Sequence, residues 1–149
     1  MFKFELQPVL SLKEKFEDSK KRELGLANTK HEKLVNEKAK LMLMHDEVYD
    51  EIRNQYDSHI NVSHLRQFNQ YAKHLNKKMA QKEIEIVKAQ KIVDQKRDEL
   101  IEAVKQRKIL DKLKEIRFEQ FREEELKAEN QIVDEIVSYK YGATKKSEE

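Results

Sequence analysis

Apolar residues return at intervals of seven along most of this chain. Ala27, Leu34, Leu41 and Val48 stand in one column, and Leu24, His31, Lys38, His45 and Ile52 stand in the column beside it. Columns separated by three and four residues share one side of an α-helix and make the seam of a coiled coil. The spacing predicts a first helix over residues 4–56 with one clean column and one that is half polar. Polar residues in a seam cost stability but disfavour slipped registers, because a shifted partner would have to bury them without matched neighbours.

A second helix is predicted over residues 63–139. Leu65, Ala72, Met79, Ile86, Val93 and Leu100 repeat every seven positions, with Phe68, Leu75, Ala89, Ala103 and Leu110 beside them. Beyond Leu100 the phase drifts: Ile109, Leu113 and Ile116 lie on a shifted line, followed by Phe118, Phe121, Ala128, Ile132, Ile136 and Tyr139. A stutter of this kind is expected to change the local supercoil. The stretch DSHINVSHL, Asp57 to Leu65, mixes turn-favouring Asp, Ser and Asn with β-branched residues, so the turn belongs at 57–62, with Asn61 or Ser63 capping the second helix. A short connection favours antiparallel neighbours. Leu41 then faces Met79 and Leu34 faces Ile86, while residues 140–149 are expected to form a disordered tail.

The predicted fold is all-α, a single domain consisting of a long antiparallel two-helix coiled-coil hairpin with a longer second helix. At a rise of about 1.5 Å per residue the arms would measure roughly 80 Å and 115 Å. Residues after Phe118 would therefore lack an intramolecular partner, yet Phe121, Ile132, Ile136 and Tyr139 keep an apolar line there. An exposed apolar stripe on a solvated helix reads as an interaction site, with end fraying or self-association as the alternative. Nearer the turn, Met42, Tyr49 and Tyr56 recur every seven residues beside Leu41 and Val48, and Tyr71 flanks Phe68 and Leu75. Such an aromatic border either widens the seam, the preferred reading for Tyr56, or offers contact area to a partner, since aromatic side chains lose little entropy on binding.

Composition narrows the picture. Of 149 residues, 40% are charged and 38% hydrophobic, against about 25% charged in a typical globular domain, so a thick core cannot be built. The 31 basic and 29 acidic residues leave a net charge of +2 and alternate along both arms. Nucleic-acid binding would need a concentrated basic face, and the richest run, Lys105 to Lys114, is broken by Ile109, Leu110, Asp111 and Leu113. Pro8, Gly25 and Gly142 are nearly the only strong helix breakers, and there is no cysteine for a disulfide or thiolate chemistry. With no apolar run of signal-peptide or membrane-spanning length, no membrane insertion is expected and the chain reads as cytoplasmic. His31, His45 and His59 stand about 21 Å apart along a helix, too far to share a metal. Glu123, Glu124 and Glu125 point in different directions, and no phosphate loop, nucleophile elbow or zinc-protease motif occurs. A non-enzymatic protein without metal or cofactor is expected.

The opening Phe2-x-Phe4-x-Leu6-Gln7-x-Val9-Leu10-x-Leu12-Lys13, the pair Tyr71-x-x-x-Leu75, the run Arg107 to Lys114 and the closing Asp134-Glu135-Ile136 resemble the FliJ family of flagellar type III export proteins over essentially the whole chain. The resemblance implies a hairpin similar to the stalk of rotary ATPases, monomeric and at the cytoplasmic face of the inner membrane at the flagellar base. Its implied partners are a hexameric flagellar export ATPase, the cytoplasmic linker region of a membrane export-gate protein, and flagellar export chaperones. Carried over by position, the ATPase contact corresponds to Phe2, Phe4, Leu6 and Leu10 with Lys108, Lys112, Phe118, Phe121, Ile132, Ile136 and Tyr139. The gate contact corresponds to Met42, His45, Tyr49, Tyr71, Leu75 and Lys78, with His45 standing where the family can show an aromatic. A stalk protein of a non-flagellar type III secretion system, or a prefoldin-like structural coiled coil, would share the same patterning.

Overall fold

A computed structural model describes residues 1–55 and 61–145. It is built from two helices, α1 over Gln7–Gln55 and α2 over Val62–Lys145. The fold is the expected all-α antiparallel pair, with α2 the longer at 84 residues against 49.

Helix ends are set by local chemistry. The Gln7 N–H is taken by the Phe4 carbonyl at 3.1 Å, and Leu10 donates the first helical bond to the Leu6 carbonyl at 2.9 Å. Pro8 thus falls in the first turn, where its missing N–H costs nothing. Residues 4–6, expected to be helical, form an arm that leads into the helix. Asn61 caps α2: its Oδ1 accepts the Ser63 N–H at 3.0 Å and its carbonyl accepts the Leu65 N–H at 3.1 Å. Val62, placed in the turn by the sequence, is the first residue of α2; residues 57–60 of the predicted turn, and Tyr56 with them, lie outside the described residues. The expected disordered tail is helical through Lys145, since Tyr, Lys, Ala and Thr carry ordinary helix propensities and only Gly142 interrupts them; residues 146–149 lie outside the described residues.

The chain divides into two units: a terminal unit, Met1–Phe16 with Val104–Glu149, and a central unit, Glu17–Ala103. In the central unit the register is fixed by ion pairs. Lys20 meets Glu99 at 2.9 Å, Glu23 meets Lys96 at 2.8 Å, Glu37 meets Lys82 at 2.8 Å and Lys38 meets Glu83 at 2.5 Å. From Lys20–Glu99 through Glu23–Lys96 to Glu37–Lys82 each advance along α1 is matched by an equal retreat along α2, as an antiparallel pair requires, and Lys38–Glu83 falls within two residues of the same register. The same register sets Leu41 against Met79 and Leu34 against Ile86. Val48, Ala72 and Leu75 form the core, with Leu41, Ile52 and Phe68 packed on it. Lys82 and Lys96 occupy the two gaps in the Phe68–Leu75–Ala89–Ala103 column, half-buried, with their ammonium groups reaching out to α1. The half-polar column of α1 runs back to Glu17, which is only 5% exposed and is held by Lys21 at 2.8 Å.

In the terminal unit Phe4 and Leu10 are buried. Lys13 donates to Gln106 Oε1 at 2.7 Å and Lys114 to Gln7 Oε1 at 2.8 Å. Leu110 and Leu113 are half-buried, while Ile116 is exposed and Ile109 is 67% exposed. The shifted line is therefore divided: Leu113 faces the N-terminal arm, while Ile109 and Ile116 lie on the exposed face of α2.

Gly25 sits in the middle of α1, where an added Cβ would meet no atom within 4 Å. Gly25→Ala removes the entropic cost of glycine in a helix interior, and should raise stability by about 0.5–1 kcal/mol. Urea unfolding followed by circular dichroism would register this as a higher midpoint at unchanged slope; a lower midpoint would show that α1 depends on glycine there.

Candidate interaction surfaces

The residues expected to make one surface near the turn are dispersed by the packing. Leu75 is 2% exposed and belongs to the core. Lys78 lies in a shallow groove beside Glu37, Lys40 and Leu41. Tyr71 stands seven residues before Lys78 in the same column and is likewise exposed. Met42 and Tyr49, both exposed, follow the Leu41 and Val48 column on the opposite edge of the seam. The two tyrosines thus serve different edges of the central unit. His45 lies half-buried in the seam with its ring 4.7 Å from that of Tyr49 at 52°, and its Nδ1 is 3.6 Å from Asp46 Oδ1. Its Nε2 is buried without a hydrogen-bond partner. Val35, exposed and seven residues before Met42, extends this edge; the same heptad count that found Met42 would have found it.

In the terminal unit the N-terminal arm lies against α2. The Phe2 ring meets Phe118 edge-on at 5.3 Å and 72°, and Phe121 at 5.7 Å, arrangements that suit the ring quadrupoles. Phe2, Phe4, Leu6, Leu113, Arg117 and Phe121 line a cleft between arm and helix. Of the residues assigned to the ATPase by resemblance, Phe4 and Leu10 are buried, Phe2 and Phe121 half-buried, and Leu6, Lys108 and Lys112 exposed, the last bonded to Glu115 at 2.6 Å. Farther along α2, Ile132 (57%), Ile136 (52%) and Tyr139 (80%) are open to solvent. Leu126, Val133 and Val137 join them, a spacing of seven and four that was visible in the sequence.

A ring of four charges ties the helices together within the central unit. Lys20–Glu99 and Glu23–Lys96 cross between helices, and Lys20–Glu23 at 3.4 Å and Lys96–Glu99 at 3.3 Å close the ring along them. Hydrogen bonds from Lys20, Gln95 and Lys96 hold the Glu99 carboxyl down to about 2, and the bond from Lys96 lowers that of Glu23. Lys20 is raised chiefly by Glu99, Lys96 by Glu23, and Lys82 by Glu37. Among the described residues no group of three His, Asp or Glu side chains is placed to hold a metal ion, and no helix is long and apolar enough to cross a membrane.

The sequence profile described as "Flagellar FliJ protein" matches residues 2–146. The chain belongs to the FliJ family. It is thus a type III export component, from a family of structural export proteins, and associates with the export apparatus. No curated protein matches it. Among solved structures it is similar to a chain described as a YscO homologue, CT670, from Chlamydia trachomatis, with 21% identity and a TM-score of 0.50 over 98% of this chain and 99% of that one. That likeness concerns the fold. On this FliJ-family scaffold the exposed edges and the outer residues of α2 are the candidate interaction surfaces.

The charge ring makes the stability of this FliJ-family hairpin depend on pH at both extremes. Glu99 and Glu23 have folded values below the ordinary 4.5, so their contribution is complete above about pH 4.5 and is lost as pH falls toward 2. Lys20, Lys82 and Lys96 lie above 10.5; their contribution is complete below about pH 10.5 and is lost as pH rises through the raised values. Urea midpoints should be flat from about pH 5 to 10 and fall on either side. In Glu99→Gln the acid limb should be shallower; an unaltered limb would show that the ring contributes nothing.

Proposed function

We propose that this FliJ-family protein couples a hexameric flagellar export ATPase to the membrane export gate, escorts export chaperones, and works at the cytoplasmic face of the inner membrane. The observation that carries this reading is the exposed apolar set on α2 beyond Phe121, which includes Ile132, Ile136 and Tyr139. Such side chains on an otherwise charged helix are best explained by a protein partner, and the family resemblance supplies the ATPase. Phe2, Phe118 and Phe121, clustered beside that set, extend the ATPase contact toward the arm. Phe4 and Leu10 serve it from beneath, by holding the arm on α2.

The gate contact is assigned to the edge that carries Met42 and Tyr49, with His45 beneath Tyr49. Tyr71 and Lys78 form a second contact on the other edge. Leu75 contributes through the core alone.

Two binding measurements test these assignments on the full chain. Ile132→Asp with Ile136→Asp should reduce capture of the hexameric export ATPase at least tenfold, about 1.4 kcal/mol, while helicity is unchanged. Full retention would remove the ATPase from this site. For the gate linker, Tyr49→Ala should weaken binding about tenfold and Tyr71→Ala less. An equal loss would mean that the linker embraces both edges, and no loss in either would dismiss the gate assignment.

A further inference from the structure

The central unit is not uniform along its length. Near the turn, opening the seam would expose Val48, Ile52, Phe68 and Leu75 to water. In the half nearest residues 17 and 103, Ala89, Val93 and Ala103 are buried and Leu24, Leu34, Ile86 and Leu100 half-buried, but the seam positions there also include Lys20, Lys38, Lys82 and Lys96. There the helices are joined across the seam by Lys20–Glu99, Glu23–Lys96, Glu37–Lys82 and Lys38–Glu83. The ring side chains are 18–36% exposed, so water and ions reach them.

We propose that this ion-paired half, Glu17 to Lys38 with Lys82 to Ala103, opens as a local unit controlled by ionic strength while the apolar half stays closed. Three observations carry this. Separated lysines and glutamates regain full hydration, and opening this half strips fewer large apolar side chains from the seam than opening the half built on Leu75 and Phe68, so its open state is penalised less. The ties themselves are screened by salt, unlike the packing of Leu75. And Gly25, where an added Cβ would meet no atom within 4 Å, gives α1 extra backbone freedom within this half. Helices parted from their partners are marginal in water, so opening releases amides to solvent. The device would give the protein a segment whose stiffness follows the salt concentration.

Hydrogen–deuterium exchange of the full chain tests this at two salt concentrations. Raising potassium chloride from about 0.1 M to about 1 M shortens the Debye length from roughly 10 Å to 3 Å. Amides of residues 17–38 and 82–103 should exchange faster than those of 41–55 and 65–79 at the lower salt, and about tenfold faster again at the higher salt, with the apolar half unaccelerated. In Lys20→Leu with Glu99→Leu the salt response should shrink toward that of the apolar half. Equal protection in the two halves at low salt, or an unchanged ratio between them on adding salt, would overturn the proposal.

Discussion

A lysine set in a coiled-coil seam must find a carboxylate on the facing helix or carry its charge unpaired into a half-buried position. That constraint governs the central unit. Lys82 and Lys96 meet Glu37 and Glu23 in the observed alignment, and a slip of one heptad in either direction takes glutamates from both. A slip of seven residues would bring Lys82 to Lys30 or Met44, and Lys96 to Lys30 or Phe16. Each pair taken alone contributes little in partly exposed surroundings. Their worth lies in the misalignments they exclude, because a repeated leucine pattern accepts a seven-residue slip with small loss.

Once register is fixed, the division of labour along the helices follows. Apolar side chains near the turn form the core on Val48, Ala72 and Leu75, and the same alignment decides which neighbours stand at the edges. In the terminal unit, Gln7 and Lys13 take Lys114 and Gln106, which leaves Ile109 and Ile116 facing outward. The arm compensates for the absence of helix before Gln7 by laying Phe2 and Phe4 on α2. Beyond Phe121 every described side chain of α2 as far as Tyr141 is exposed, so there the helix is held by its own backbone bonds and not by a seam.

For a FliJ-family export component these are the useful properties. A hairpin of this composition cannot enclose a substrate, but it has two distinct edges and a long helical surface on which to meet partners. The central unit assigns them unequally: one edge carries Val35, Met42 and Tyr49, the other Tyr71 and Lys78 beside Glu37 and Lys40. The candidate site was only partly legible for this reason. Tyr71-x-x-x-Leu75 reads as one surface in a linear pattern, yet a spacing of four on a helix that packs through one side can put one residue on the edge and the other in the core.

By itself the sequence determined the two helices, their antiparallel order, a cap at Asn61 or Ser63 and the seam columns, because each rests on local propensity, a short connection or a seven-residue period that needs no partner to be read. It also showed that residues after Phe118 keep apolar side chains out of proportion to their charge. Tertiary structure decided what periodicity leaves open: that Met42 and Lys78 lie on opposite edges, that Asn61 is the cap, that Ile109 turns away from the seam, and that Phe2 closes on Phe118. Those outcomes depend on which side chains from elsewhere in the fold occupy a shared position. That is a property of two chains of residues brought together, and no single column of seven contains it.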